Sequence, residues 1–332
     1  MTMKKYLVTG AAGFIGSYLS KALLDSGNIV VGIDNINDYY DVRLKEARLE
    51  TLVPYENFKF IKGDISEKEL VFKTFETEHF DVVINLAAQA GVRYSITNPD
   101  VYIQSNVIGF YNILEACRSY PVEHLLYASS SSVYGNQEKT PFSVDDDVSK
   151  PISLYAATKK TNELMAYTYS HLYKIPTTGL RFFTVYGPMG RPDMAYFSFT
   201  NKMIAGETIQ IFNNGDLKRD FTYVDDIVTG ICKLIPCVPE GDDPYAVYNI
   251  GNNKPEDLLH FIEVLEGCLI AEGIINEPAK KEFLPMQKGD VYQTYADVAP
   301  LMNKVGFKPE TTIDEGLSRF AKWYKEFYMR KD

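Results

Sequence analysis

The sequence predicts an α/β fold in which a doubly wound parallel sheet carries a smaller, interleaved C-terminal lobe. Short apolar segments alternate with helical patterns over residues 1–183, a glycine-rich turn follows the first apolar segment, and shorter elements with longer loops follow residue 184. This alternation indicates parallel strands joined by right-handed helical crossovers, with helices on both faces of the sheet. Ligands of such sheets bind at the carboxyl ends of the strands.

The first strand and the turn after it predict a nucleotide site. Residues 5–9 form an apolar segment, and Gly10, Gly13 and Gly16 follow it, before a helical pattern that runs to about Ser26. In such a turn one glycine permits the tight bend, one lets the backbone approach a pyrophosphate, and one lets the helix pack on the strand. We therefore predict a Rossmann domain that binds a dinucleotide, although the spacing is GxxGxxG rather than GxGxxG.

The second strand, residues 29–34, ends in a carboxylate. Asp34 follows the glycines by about 20 residues, where an acidic side chain can bond the adenosine ribose hydroxyls. A 2′-phosphate would be repelled by Asp34, and Asn35 supplies no positive charge, so the sequence favours NAD over NADP.

Later elements complete the predicted sheet and its cover. The remaining strands are predicted at residues 58–61, 82–88, 124–128, 177–183 and 245–250. Helices are predicted at residues 67–77, 99–119, 153–173, 224–235, 257–271 and 313–327. We predict that residues 1–183 form the NAD-binding domain, that residues 220–250 return to it in part, and that residues 184–332 form the substrate lobe.

Composition narrows the function classes. The 332 residues carry a net charge of −10, which disfavours nucleic acid as a partner because its binding relies on clustered lysine and arginine. The four cysteines form no CxxC pair and the four histidines show no ligand spacing, so we expect neither a disulfide framework nor a metal. No secretory segment and no apolar run of membrane-spanning length is present, and we expect a cytoplasmic protein.

Tyr155 and Lys159 are the predicted centre of the chemistry. They are spaced i, i+4 in a helical pattern without internal glycine or proline, so both side chains should lie on one helical face, about 5 to 6 Å apart at Cβ. An ammonium beside a phenol favours the phenolate, so we expect Lys159 to lower the pKa of Tyr155. Tyr55 and Lys59 have the same spacing but abut a strand-like segment, where residues four apart do not meet.

Four consecutive serines, residues 129–132, follow the strand at 124–128 and are expected at the same edge of the sheet.

With the glycine turn, Asp34, this serine run and Tyr155-x-x-x-Lys159 in this order, the chain resembles the extended short-chain dehydrogenase/reductase family over nearly its full length. Three stretches are similar to nucleotide-sugar epimerases of that family, and specifically to UDP-glucuronate 4-epimerases. They are DNINDYYD at 34–41 with LK at 44–45, YGPMGRPDMA at 186–195, and PMQKGDV at 285–291, where Lys288 replaces the usual proline.

The resemblance implies roles for the matching residues. Tyr155 would be the acid/base, Lys159 would hold the nicotinamide ribose and tune Tyr155, and Ser130 would share the proton network at the sugar 4-hydroxyl. NAD would be bound by Gly10, Gly13, Phe14, Ile15, Gly16, Asp34, Asn35, Asp64, Ile65, Leu86, Ala87, Ala88, Tyr155 and Lys159. The UDP-sugar would be bound by Arg93, Ser131, Ser132, Thr184, Arg191, Gln210, Phe212, Arg219 and Asp290.

The expected reaction is the 4-epimerisation of UDP-glucuronate to UDP-galacturonate by transient oxidation at C4, with Arg191 as the main contact of the sugar carboxylate. A UDP-glucose or UDP-N-acetylglucosamine 4-epimerase stays open as an alternative, since it would need no such contact. A UDP-glucuronate decarboxylase is disfavoured because Ser132 stands where those relatives carry glutamate. A non-catalytic NAD-binding regulator of the same fold is a further alternative. By analogy with relatives, we expect a homodimer formed through the helices at 99–119 and 153–173.

Overall fold

The computed structural model describes residues 3–286 and 293–329. Its strands are β1 Lys5–Thr9, β2 Ile29–Asp34, β3 Phe58–Lys62, β4 Val82–Asn85, β5 His124–Ser130, β6 Thr177–Phe182, β7 Thr184–Tyr186, β8 Ile209–Ile211, β9 Lys218–Tyr223, β10 Tyr245–Ile250, β11 Pro255–Asp257 and β12 Lys281–Phe283. Its helices are α1 Phe14–Asp25, α2 Val42–Glu50, α3 Lys68–Glu78, α4 Tyr94–Thr97, α5 Asp100–Tyr102, α6 Gly109–Ser119, α7 Leu154–Tyr173, α8 Ala195–Ile204, α9 Val224–Leu234, α10 Leu258–Ala271, α11 Ala299–Val305 and α12 Ile313–Tyr324. Short helical turns occupy Ile103–Ile108, Ser131–Tyr134, Phe212–Gly215 and Lys325–Met329.

The main sheet confirms the predicted α/β fold. It has seven strands in the order β10-β6-β5-β4-β1-β2-β3, and all neighbouring pairs are parallel. The chain runs outwards from β1 through β2 to β3, then crosses to β4 on the other side of β1 and continues outwards through β5 and β6. Such a reversal opens a crevice at the carboxyl ends of these two strands, which is where doubly wound sheets bind ligands.

Alternating residues of the central strands build a core on each face of the sheet. Tyr6 and Val8 of β1 belong to one buried cluster, and Leu7 between them belongs to the other. The first cluster includes residues of α1 and α9, and the second includes residues of α3, α6 and α7. Burial on both faces explains why these strands are continuously apolar instead of alternating with polar residues.

The C-terminal part of the chain contributes to the main sheet as well as to a separate lobe. Strand β10 pairs with β6 in parallel, so residues 245–250 return to the main sheet as the sequence predicts. The remaining strands form a three-stranded sheet, β11-β9-β7, and a two-stranded sheet, β12-β8. Asp220 of β9 connects the three-stranded sheet to the loop after β10 and to the segment before α11. Its buried carboxylate accepts hydrogen bonds from the backbone N–H groups of Asn252, Asn253 and Ala296.

The predicted helix at 99–119 contains a wider π-helical turn, Ile103–Ile108, that the sequence did not indicate. Asn106 explains it. Its side chain bonds the backbone of Gln89 and the hydroxyl of Thr158, and its carbonyl accepts a 2.7 Å hydrogen bond from the side chain of Asn162. Because that carbonyl bonds outside its own helix, the turn joins the loop after β4 to α7.

Candidate active site

A cleft of about 910 Å³ follows the carboxyl edge of the sheet and continues between the sheet and the C-terminal lobe. All the predicted cofactor and substrate residues that the structure describes line this cleft. Asp290 lies outside the described residues. The predicted residues that the structure describes therefore lie together, and the geometry within the cleft decides what each of them can do.

The glycine turn occupies one end of the cleft and fits a dinucleotide. A Cβ atom on Gly16 would lie 2.0 Å from the carbonyl oxygen of Gly10, and one on Gly10 would lie 2.8 Å from the backbone nitrogen of Ala87. Only glycine permits this approach of turn, helix and neighbouring loop. The N-terminus of α1 consequently faces the cleft with its backbone N–H groups free of Cβ crowding, which is an arrangement suited to a pyrophosphate.

Asp34 lies beside this turn and is fixed by backbone donors. One carboxylate oxygen accepts the Ala12 N–H at 3.1 Å and the other accepts the Ile36 N–H at 2.9 Å. The Asn35 amide donates to Asp64 at 2.7 Å. Burial works against ionisation of Asp64, but hydrogen bonds from Ser66 and Asn35 outweigh it and lower the pKa of the carboxyl. The side chains of Asp34 and Asp64 at this end fit ribose hydroxyls and disfavour a 2′-phosphate.

Lys45 is a cleft residue whose role the sequence analysis did not consider, although it belongs to one of the quoted stretches. Its ammonium donates to the backbone and side-chain oxygens of Asn37, each at 2.8 Å, and lies 4.9 Å from the centroid of the Tyr40 ring. Burial lowers its pKa. A cation therefore lies near Asp34, but its donors are already bonded to Asn37.

The four serines divide between two environments. Ser129 faces inwards and donates to Glu163 at 2.7 Å, where a buried ion pair joins Glu163 to Arg181. Ser130, Ser131 and Ser132 line the cleft. The Ser132 hydroxyl donates to the Ser130 hydroxyl at 2.9 Å, so these two form a short polar chain. Side chains alternate along β5, which explains why Ser129 and Ser130 face opposite ways.

Tyr155 and Lys159 lie in the first half of α7, which begins with Ser153 accepting a hydrogen bond from the Ala156 N–H. The expected lowering of the Tyr155 pKa is wrong in this structure, because burial raises it. The groups that counteract burial are the Ser130 hydroxyl, through a hydrogen bond, and the positive charge of Arg191. The Lys159 ammonium instead donates to the Ala128 carbonyl at 2.9 Å, and burial lowers its pKa to about 7.

Tyr55, which has the same spacing from a lysine, is correctly excluded from the site. Its hydroxyl donates to Asp25 on the exterior, and Lys59 forms an ion pair with Glu78. Neither residue lines the cleft.

Arg191 brings a cation to the Tyr155 end of the cleft. Its guanidinium pairs with Asp193, and the charge of that carboxylate, opposed by burial, raises its pKa. Asp193 also accepts from the Tyr39 hydroxyl at 3.5 Å. A Cβ on Gly91 would lie 3.7 Å from the guanidinium. Loops from three parts of the chain therefore meet around this arginine.

The other predicted substrate residues lie further along the cleft. The Arg93 guanidinium stands 5.8 Å from the ring centroid of Phe212, and the Gln210 amide donates to Glu282 at 3.2 Å. Arg219 donates to the carbonyl of Lys218, and Thr184 begins β7. The structure also places Lys202, Ser198 and Thr294 in this wall, which no sequence motif had indicated. Within the described residues, no three His, Cys, Asp or Glu side chains are grouped as they would be around a metal ion.

The fold and the site together define a class. A doubly wound sheet with a glycine turn, an acidic residue after β2, and a serine, tyrosine and lysine at the cleft is the arrangement of an extended short-chain dehydrogenase/reductase. Residues 6–251 match the profile of the NAD dependent epimerase/dehydratase family, and the chain belongs to that family.

Individual relatives narrow the likeness. The chain is 52% identical to protein CapI of Staphylococcus aureus, over 98% of this chain and 100% of that protein. It is 43% identical to a probable UDP-glucuronate 4-epimerase of Rhizobium meliloti, over 98% of each chain. The fold is similar to the crystal structure of UDP-glucuronic acid 4-epimerase from Bacillus cereus in complex with UDP-glucuronic acid and NAD, with a TM-score of 0.88, 34% identity, and coverage of 98% of this chain and 100% of that one.

Proposed function

We propose that this protein is a UDP-sugar 4-epimerase whose substrate pair is UDP-glucuronate and UDP-galacturonate. One observation carries the proposal: Arg191 lies close enough to Tyr155 to affect its pKa, in a cleft whose other end fits NAD. An epimerase of neutral sugars needs the acid/base but no cation beside it. The relatives with UDP-glucuronate in their names or titles support the same substrate.

Tyr155 moves the proton in this reaction. As phenolate it takes the proton of the sugar 4-hydroxyl and later returns it, while Ser130 donates a hydrogen bond that stabilises the phenolate and Ser132 continues the polar chain. Bound NAD would supply the acceptor of the C4 hydride and its donor in the return step. Loss of the O4 proton and of this hydride would give a 4-ketone, and once the sugar has turned over, return of hydride to the opposite face of C4 and of the proton to O4 would invert C4. Lys159 donates to the Ala128 carbonyl at the end of β5 and would hold the nicotinamide ribose.

When the sugar is a uronic acid, Arg191 would also bind and orient the sugar carboxylate. The 4-keto intermediate is a β-keto acid, which loses carbon dioxide when the bond to its carboxylate aligns with the ketone π system. A guanidinium that bonds the carboxylate fixes its orientation, because paired N–H···O contacts are directional as well as strong. The hydroxyls of Ser131, Ser132 and Thr184 line the same cleft and can add donors.

Decarboxylation and dehydration are disfavoured by the residues at the serine run. Dehydration needs carboxyl groups to transfer protons at C5 and C6 of the sugar, and the decarboxylases carry glutamate where Ser132 stands. Positions 131 and 132 both carry serine here. A hydroxyl with an ordinary pKa cannot replace a carboxyl as acid or base near neutral pH. The cleft therefore retains the carboxylate as a binding group.

The decisive experiment is to incubate the purified protein with UDP-glucuronate, without added NAD, and to follow the products by NMR. We expect UDP-galacturonate and no UDP-pentose, which would also show that NAD copurifies. Turnover of UDP-glucose but not of UDP-glucuronate, in a parallel sample, would overturn the uronate assignment. A UDP-pentose product would indicate a decarboxylase.

We further propose that the protein is a homodimer. Large apolar side chains are exposed on one surface of the helical layer, formed by Ile108, Tyr111, Leu164, Tyr167 and Leu172, which we call the α6–α7 surface. Leu164 and Leu172 are 57% and 58% exposed, although α7 is otherwise packed against the sheet. Tyr169 donates to Glu115 and holds the two helices side by side. Two copies of such a surface would bury each other's apolar side chains.

Light scattering after size-exclusion chromatography tests the dimer. Leu164→Glu should yield monomers, and Val53→Glu, at an exposed apolar residue away from this surface, should not. A monomeric wild-type protein would contradict the proposal.

We expect this reaction to take place in the cytoplasm. All four cysteines have free thiols, as a reducing compartment would maintain. The described part of the chain contains no helix with the length and apolarity needed to span a membrane. Fractionation of cells that express the tagged protein would test the location, and recovery in an oxidising compartment would contradict it.

A further inference from the structure

Arg48 of α2 is a buried arginine outside the cleft that the proposed chemistry does not use. Its side chain is 0% exposed. The hydrogen bonds recorded for its guanidinium within the described residues go to carbonyl and hydroxyl oxygens, and none goes to a carboxylate. Burying a guanidinium without a counter-charge is costly, so a structure retains it only where its donors are well satisfied.

The acceptors of Arg48 come from two distant functional segments. Nη1 donates to the Ala12 carbonyl at 3.0 Å, inside the glycine turn. Nε and Nη2 donate to the Met189 carbonyl at 3.0 and 2.6 Å, and Nη2 also donates to the Gly190 carbonyl at 3.2 Å. The nucleotide turn and the loop that carries Arg191 are thereby joined through one rigid planar group.

The two segments that Arg48 joins, the glycine turn and the loop at 187–193, are both held in constrained conformations. Ala12 is also held through its N–H, which donates to the Asp34 carboxylate at 3.1 Å. Met189 has a φ of 53°, a left-handed conformation that non-glycine residues seldom adopt. A Cβ on the next residue, Gly190, would lie 1.6 Å from the Tyr196 hydroxyl. The loop is therefore closely packed and strained, and its shape depends on what holds the carbonyls of Met189 and Gly190.

Tyr40 ties the connection to the cleft wall. Its hydroxyl accepts from Arg48 at 2.6 Å, and the centroid of its ring is 5.4 Å from the Arg48 guanidinium and 4.9 Å from the Lys45 ammonium. Tyr40 and Lys45 both line the cleft. A nucleotide that contacts this wall therefore touches the residues that fix Arg48.

We propose that Arg48 is a positioning residue that couples occupancy of the nucleotide turn to the conformation of the loop at 187–193, and hence to the placement of Arg191. Binding of NAD orders the Ala12 peptide and the Tyr40 wall, and Arg48 transmits that order to the carbonyls of Met189 and Gly190. The consequence for Arg191 as a substrate contact rests on the proposed function, whereas the coupling itself does not.

Hydrogen exchange measured by mass spectrometry tests the coupling without any sugar. Nucleotide is removed with charcoal and NAD is added back to the wild type and to Arg48→Lys and Arg48→Met. In the wild type, NAD should slow exchange about tenfold at residues 10–16 and also at 187–193. In the variants the effect at 10–16 should persist and the effect at 187–193 should be lost. Circular dichroism establishes that each variant is folded, and Arg48→Lys serves if Arg48→Met is not.

A matched control and a second readout separate positioning from simple stabilisation. Tyr40→Phe removes one hydroxyl acceptor of Arg48 and leaves the carbonyl contacts, so the effect of NAD at 187–193 should be smaller than in the wild type but still present. With NAD bound, Arg48→Lys should weaken UDP-glucuronate binding about tenfold and leave UDP binding unchanged. Protection at 187–193 that is equal in wild type and variants, or absent from the wild type, would overturn the coupling. If the wild type does not bind UDP-glucuronate, the proposed function fails, but the hydrogen-exchange result still decides the role of Arg48.

Discussion

The guanidinium of Arg191 is paired with the carboxylate of Asp193 by two contacts, one of them at 3.0 Å between Nε and Oδ1. The cation that we assign to the sugar carboxylate thus already has an internal carboxylate as its partner. The pair is partly exposed, with 23% and 32% of the two side chains accessible, so solvent weakens it and exchange for an incoming carboxylate is feasible.

Arg191→Gln should reduce kcat/KM for UDP-glucuronate by a factor of about 30 or more, since truncating one partner of a desolvated charge pair costs about 2 kcal/mol or more. Binding of UDP-glucose, measured by calorimetry, should change less than about threefold because that sugar has no carboxylate. Arg191→Lys is the matched control that keeps the charge but not the paired donors. Equal losses for both sugar nucleotides would show that Arg191 only supports the loop.

Asp193→Asn should strengthen the binding of UDP-glucuronate, because it removes the internal competitor for Arg191 while keeping an acceptor of similar shape. We expect Kd to fall by a few-fold, up to about tenfold, in line with a partly exposed ion pair worth about 1 kcal/mol. Calorimetry on the NAD-loaded protein measures it. A weaker complex would mean that Asp193 orients Arg191 and does not compete with the substrate.

The pH profile should report the contact between Arg191 and Tyr155. The positive charge of Arg191 lowers the pKa of Tyr155 against the effect of burial, so removing that charge must raise the pKa further. The rising limb of kcat against pH should therefore move to higher pH in Arg191→Gln, and stay close to its wild-type position in Arg191→Lys. A limb that does not move in either variant would assign it to another group.

Tyr155→Phe should lower kcat by about 10² to 10⁴, the usual contribution of a positioned acid/base. Binding of NAD and UDP-glucuronate should change little, since only one hydroxyl is lost. Tyr55→Phe is the control, because Tyr55 has the same spacing from a lysine and lies outside the cleft. NMR of the products measures turnover, and full activity of Tyr155→Phe would refute the assignment.

Lys159 should make stability depend on pH. Its folded pKa of about 7 lies below the ordinary value of 10.5, so the native state loses this proton first as pH rises. Below pH 7 both states carry the charge and the native state bears the cost of burying it. The free energy of unfolding should then rise between about pH 7 and 10.5, by at most about 4 to 5 kcal/mol at ~1.4 kcal/mol per pKa unit.

Urea unfolding of wild type and Lys159→Met across this pH range checks the sign. The variant should be the more stable protein below pH 7, and its advantage should shrink as pH rises. A constant difference would show that Lys159 keeps its charge in the native state.

The regular part of the fold and the location of the cleft could be predicted because they depend on local patterns. Apolar runs place the strands, and the carboxyl end of each strand places Asp34 and Ser130. Contacts between distant side chains could not be predicted. Nothing local shows that Asn106 opens a π-helical turn to reach α7, or that Arg48 bonds a loop more than a hundred residues away. The prediction of a lowered pKa for Tyr155 failed for a related reason, because spacing along a helix gives no measure of burial.

Strand β10 pairs with β6, yet about sixty residues of C-terminal lobe separate them in the chain. During synthesis, therefore, one edge of β6 stays unpaired until Tyr245–Ile250 has left the ribosome. An exposed strand edge invites pairing with other chains. Fragments that stop near Phe183 should consequently aggregate instead of forming an isolated nucleotide-binding domain. The part of the chain that lines the nucleotide end of the cleft therefore needs the part that lines the sugar end in order to fold.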